Sequence, residues 1–272
     1  MNRKDQTWLA VLALGAIGVW TRDRSWLAAG DEALPVVAAL PLFVWLGRPW
    51  RLRAEPGGAF LHAPSLVVAG LLFVAGSALD LCSLCAAAWV AGLWAWLRAR
   101  ATPETLGRAR RLLPLAFLAF PWVILDLQSL GWYFRLSGAW CSEHLFGLLG
   151  LQVSRAGVDL VVQGLPISVV AACSGLQVLQ SLLIAGTFLV YVLLGDTRVY
   201  WWNVAALAVA AWVANTARIA AIGAAALTWG RDFATGPFHT LGGLGVFVAA
   251  FVVYAAIFDA ERRWLARRAR AA

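Results

Sequence analysis

Charge is scarce in this 272-residue sequence: Asp, Glu, Lys and Arg make up 13% of it, against 62% hydrophobic residues. With a mean hydropathy of +0.76, that balance excludes a soluble globule, whose composition runs to roughly a quarter charged residues. Histidine is scarce too, with three in all, and cysteine numbers four. There is no His-x-x-x-His pair, EF-hand loop or Gly-rich phosphate loop, so no metal and no cofactor is expected. Internal repeats and low-complexity tails are also missing. The net charge of +8 invites a nucleic-acid reading, but Lys and Arg cluster at the ends of apolar runs. That pattern belongs to membrane topology, so the lipid bilayer is the expected partner and nucleic acid is not.

What is present is a series of apolar runs, predicted as spans near 7–20, 33–47, two within 64–97 broken near Asp80, 112–133, 173–194, 199–222 and 238–258. Pro35 and Pro41 are expected to kink the second and Pro121 to bend the fifth. The first run is expected to be a retained span, since Thr21-Arg22-Asp23-Arg24 offers no convincing signal-peptide cleavage site. The expectation is an all-α membrane protein. It forms one polytopic domain over residues 1–272, with about eight transmembrane helices and a small extracytoplasmic β-hairpin before the sixth.

Most of the 22 Lys and Arg fall in five clusters: Arg3/Lys4, Arg48–Arg53, Arg98–Arg111, Arg198 and Arg262–Arg270. The positive-inside rule then puts both termini in the cytoplasm. Many of the 16 Trp, among them Trp20, Trp45, Trp132, Trp140, Trp202 and Trp229, fall at expected interfaces, where an amphipathic ring is favoured. The longest outer segment is Arg135 to Ala172. Trp140 to Leu151 reads as an interfacial helix. Val158, Leu160 and Val162, then Leu165, Ile167 and Val169, alternate about Gln163-Gly164 as a hairpin. Such a hairpin offers an edge to an extended peptide.

Three polar residues interrupt the last spans. Cys173, Arg218 and His239 each lie about twenty residues from a charged inner border, roughly 30 Å of helix, and so are expected at one outer depth. Each has a plainer reading alone: a buried thiol, an Arg snorkelling to headgroups, an interfacial His. Ser174, Gln177, Gln180 and Ser181 follow the thiol, the last three as a stripe facing the bundle. Asn215 shares a face with Arg218. An Arg at the bilayer centre costs at least ~2.5 kcal/mol, which makes it a candidate for function. Thiol, guanidinium and imidazole suit nucleophilic attack: a cation lowers the thiol pKa, Arg holds a developing oxyanion and His returns the proton to a leaving amine. One Cys and one His are too few to hold a metal, which Arg would also repel.

Ala172-Cys173-Ser174-Gly175-Leu176, Asn215-x-x-Arg218 and His239 at the entry of the last span resemble the exosortase/archaeosortase family over roughly residues 112–258. The resemblance implies Cys173 as nucleophile, Arg218 as transition-state stabiliser and His239 as acid/base partner of a multipass cysteine protease or transpeptidase. Its expected substrates are exported proteins ending in a sorting signal: a motif such as Pro-Glu-Pro, a transmembrane helix and a basic cluster. Surface-polymer export machinery is a further expected partner, and the expected location is a bacterial cell membrane with the site on its outer face. Many family members have Arg where this chain has Gln177, and an acidic residue where it has Thr240. A rival reading makes Cys82-x-x-Cys85 and Cys141 part of a quinone-linked thiol oxidase. A third makes the protein a non-enzymatic export component.

Overall fold

The computed structural model describes residues 3–27, 33–53, 63–168 and 176–271. Helices dominate, with one three-stranded antiparallel sheet. The chain divides into two compact units, Met1–Asp126 and Leu127–Ala272.

The first unit holds α1 (Arg3–Arg22), α2 (Leu34–Leu46), α3 (Ala63–Ala78), α4 (Cys82–Arg100), α5 (Pro103–Leu118) and α6 (Trp122–Asp126). The expected break near Asp80 is present: Asp80 takes a left-handed φ of 56° between α3 and α4. Arg22 secures this corner, donating to the Gly76 and Ser77 carbonyls that end α3 and pairing with Asp80 at 2.8 Å. Across the turn, the Asp126 carboxylate accepts from the backbone N–H groups of Cys82 and Ser83 at 3.0 and 2.6 Å. An anion at a helix start meets both its unpaired donors and its dipole. Tryptophans stitch the helices together: Trp89 Nε1 donates to Leu12 O at 2.7 Å and Trp20 Nε1 to Ala119 O at 2.8 Å. Arg100 and Asp5 form a buried ion pair at 2.8 Å.

The second unit holds α7 (Gln128–Leu148), β1 (Val153–Ala156), β2 (Asp159–Val162), β3 (Leu165–Ser168), α8 (Leu176–Leu194), α9 (Tyr200–Trp229), α10 (Arg231–Thr235) and α11 (Pro237–Ala271). The hairpin expected about Gln163-Gly164 exists as β2–β3, with Val162 opposite Leu165 and Leu160 opposite Ile167. Gln163 and Gly164 both take positive φ, 54° and 78°, the conformation whose twist matches the flanking strands. A third strand was missed. β1 pairs with β2 from Val153↔Val162 to Ala156↔Asp159. Its polar Ser154 and Arg155 hid the apolar alternation that marks a strand.

Two further expectations are corrected. The run 112–133 is not one span. It breaks after Leu118 and again at Leu127, because Pro121 disfavours a helical Phe120 and denies the chain a donor. Nor is Trp140–Leu151 a separate helix, for α7 runs unbroken from Gln128 to Leu148. Its residues Gly138, Ala139, Ser142 and Phe146 are buried, a 3–4 spacing that lays one face against α9. Gly138 meets Ile219, and Gly223 of α9 meets the Phe146 ring. Leu160 and Val162 of β2 close over this seam.

Eight spans are not confirmed among the described residues. Among the described residues, two helices combine spanning length with apolarity, Cys82–Arg100 and Tyr200–Trp229; Leu34–Leu46, Pro64–Ala78 and Leu179–Leu194 are apolar but shorter.

Candidate functional site

The polar interior of the second unit is built on α8 and α9. Asn215 and Arg218, one turn apart, are 2% and 4% exposed. Among the described residues, neither Asn215 Oδ1 nor Arg218 Nε has a hydrogen-bond partner. Such groups carry a desolvation cost of about 1–3 kcal/mol each, more when charged. On α8, Gln180 and Ser181 are buried as the stripe predicts. The side chain of Gln177 lies outside the described residues, as do Cys173 and Ser174.

Helix register sets the levels. Gly186 of α8 sits against Leu207 of α9. Ten residues back along α8 is its first residue, Leu176, and ten residues on along α9 is Ala217. The start of α8 is therefore level with Arg218. Helices α9 and α11 are clasped at both ends. Asn203 Nδ2 donates to Glu261 Oε2 at 3.0 Å, and the Trp229 and Phe238 rings lie 6.3 Å apart. His239 is in the first turn of α11, with its side chain outside the described residues. Counted from the Asn203–Glu261 clasp, Arg218 is fifteen residues up α9 and His239 twenty-two up α11. At 1.5 Å per residue, the entry of α11 stands roughly 10 Å further along than Arg218.

Sequence reading overlooked two features of α7. Ser142 is 1% exposed and its Oγ has no partner among the described residues. It stands between Gly138 and Phe146, facing α9 at Ile219 to Gly223. The second is a groove of about 520 Å³ along the seam with α9, lined by Tyr133, Phe134, Ser137, Trp140, Trp212 and Arg155. Trp212 Nε1 donates to Ser137 Oγ at 3.0 Å, and Arg155 Nε donates to Glu143 Oε2 at 2.6 Å. The 3–4 spacing of buried small residues in 138–146 was the available signal for Ser142; the groove needs β1, which the sequence did not reveal.

The cysteines of the redox reading are divided. Cys82 and Cys85 are buried free thiols at the start of α4 in the first unit; Cys141 is a half-buried free thiol of α7 in the second. Cys85 Sγ accepts from Arg22 Nη1 at 3.2 Å.

Apolar helices around a polar, incompletely paired interior fit a protein of the membrane. Residues 8–256 match the family model of transmembrane exosortases, and the chain belongs to that family. No curated protein and no solved structure matches it.

Proposed function

We propose that this chain is a sorting protease or transpeptidase whose site combines Cys173, Arg218 and His239, with Asn215, Ser174 and Gln177 in support. Both termini are cytoplasmic and the site faces the outer side of a bacterial membrane. The Cys173 thiolate attacks a peptide carbonyl near the Pro-Glu-Pro-like motif of a C-terminal sorting signal, forming the S–C bond of a tetrahedral oxyanion. Arg218 donates to that oxyanion, and Asn215 adds a second polar group on the same face. The C–N bond then breaks. His239 delivers a proton to the departing amine, which leaves on the fragment carrying the membrane helix and basic cluster. The acyl group stays on Cys173 as a thioester, until an amine or water takes it and restores the thiol.

The single observation behind this reading is the buried Arg218, whose Nε lacks a partner among the described residues. A buried cation without an anion is costly unless a negative charge arrives to meet it. The test is Arg218→Lys, which keeps the charge and loses the planar fork. Cleavage of a tagged protein bearing the signal, at matched expression, should fall roughly 10²–10³-fold, as for loss of an oxyanion donor. Near-normal cleavage would remove Arg218 from the reaction.

A further inference from the structure

Tyr254 of α11 is 6% exposed, and among the described residues its hydroxyl has no hydrogen-bond partner. Two contacts fix its level in the second unit. Seven residues up from the Asn203–Glu261 bond on each helix brings Tyr254 level with Ala210; sixteen down from the Trp229–Phe238 contact brings it level with Val213. Its Cα therefore stands about 7–12 Å below that of Arg218 along the bundle, and Asn215 lies at a height between them. Helix phase sets the faces. Tyr254 falls within about 20° of Glu261 and Arg218 within about 60° of Asn203, so both belong to the faces that the Asn203–Glu261 bond joins. Side chains on a helix lean toward its N-terminus. Helices α9 and α11 run in opposite directions, so Arg218 leans down and Tyr254 leans up, each toward the other. The orphaned atoms are also complementary: Arg218 Nε–H donates, Asn215 Oδ1 accepts and the Tyr254 hydroxyl does either. A buried water typically makes about three hydrogen bonds to such groups.

We infer that Tyr254 is a positioning residue for Arg218, acting through one water shared by Tyr254 Oη, Arg218 Nε and Asn215 Oδ1. The water accepts from Nε–H, donates to Oδ1 and takes the Tyr254 hydroxyl as its third partner. Fixing the guanidinium by its Nε edge limits rotation of the fork and leaves the two Nη groups for the oxyanion. The inference rests on the oxyanion role given to Arg218 above and adds to it the residue that aims the side chain.

The experiment uses full-length protein in nanodiscs. Cleavage of a tagged, signal-bearing substrate gives kcat and KM, and thermal melting gives stability. Tyr254→Phe keeps the ring and removes the hydroxyl. It should lower kcat about tenfold, the order expected for a hydrogen bond to a charged group, with KM unchanged. Arg218→Lys lacks the Nε edge, so adding Tyr254→Phe to it should bring no further loss. Phe258, whose ring lies 6.2 Å from that of Tyr254, is the packing control: Phe258→Leu should lower the melting temperature and keep kcat. Unchanged kcat in Tyr254→Phe, the same fractional loss in the Arg218→Lys background, or an equal loss in Phe258→Leu would each overturn the inference. Melting reads the link without turnover. Tyr254→Phe should lower the melting temperature of the unsubstituted protein and leave that of Arg218→Met unchanged or higher; equal drops in both would also overturn it. Normal cleavage by Arg218→Lys alone would overturn the oxyanion reading instead, and the melting comparison would still decide whether Tyr254 and Arg218 are linked.

Discussion

Each unit buries an arginine, and the two are treated differently. Arg100 of the first unit is held by Asp5 at 2.8 Å, both side chains under a tenth exposed. Arg218 of the second is as deeply buried, yet among the described residues no carboxylate meets it. The first unit likewise sets Asp126 on the start of α4 and Asp80 on Arg22. Its carboxylates balance these arginines and hold helices, although Arg100 Nε and Nη1 have no hydrogen-bond partner among the described residues. In the second unit the polar atoms of Asn215, Arg218 and Ser142 are left incompletely matched in one interior. The difference is the counter-ion: Arg100 has a carboxylate partner, and Arg218 has none among the described residues.

The largest effect expected from this contrast is on turnover. Cys173→Ala should abolish processing of a signal-bearing substrate while the protein still inserts, whereas Cys82→Ser/Cys85→Ser should keep most activity. The reverse pattern would transfer the chemistry to the first unit and revive the thiol-oxidase reading.

Next in size is stability. Asp5→Ala strands the Arg100 charge and should cost about 3–5 kcal/mol, seen as a lower melting temperature in detergent; Asp5→Leu/Arg100→Met should recover most of it. Arg218→Met should destabilise little, because no carboxylate is stranded by its loss. A large drop would mean that Arg218 is a structural charge as well.

Smaller still is Gly223→Ala. Its Cβ would fall 2.9 Å from the tip of the Phe146 ring. The ring must shift, at about 1–3 kcal/mol, and Phe146→Leu in the same chain should relieve it. If Gly223→Ala alone melts normally, the α7–α9 seam is looser than its contacts imply.

Much of this was legible in sequence. Asp80 marked the α3–α4 corner because its two flanking runs are too long together for one helix. Gln163-Gly164 marked its hairpin because a two-residue turn needs positive φ. Asn215 and Arg218 stood out as polar residues in an apolar helix, and both proved buried. The missed features depend on contacts between distant segments. β1 carries polar Ser154 and Arg155 at its centre, and becomes a strand only by pairing with β2. Pro121 was read as a bend in one span, whereas the chain breaks there and again at Leu127, an interruption that hydropathy does not encode. Likewise, the level of His239 was judged from charged borders, while the Asn203–Glu261 and Trp229–Phe238 contacts, not the borders, fix the register of α11.

Those two contacts have a mechanical consequence. With α9 and α11 in contact near both ends, the number of residues between the contacts sets the direction in which each side chain points. One residue inserted between Val204 and Ala217 would turn everything above it by about 100°, swinging Arg218 off the interior while leaving its chemistry untouched. The arrangement of this interior therefore depends as much on a count of residues between two contacts as on the identity of any one of them.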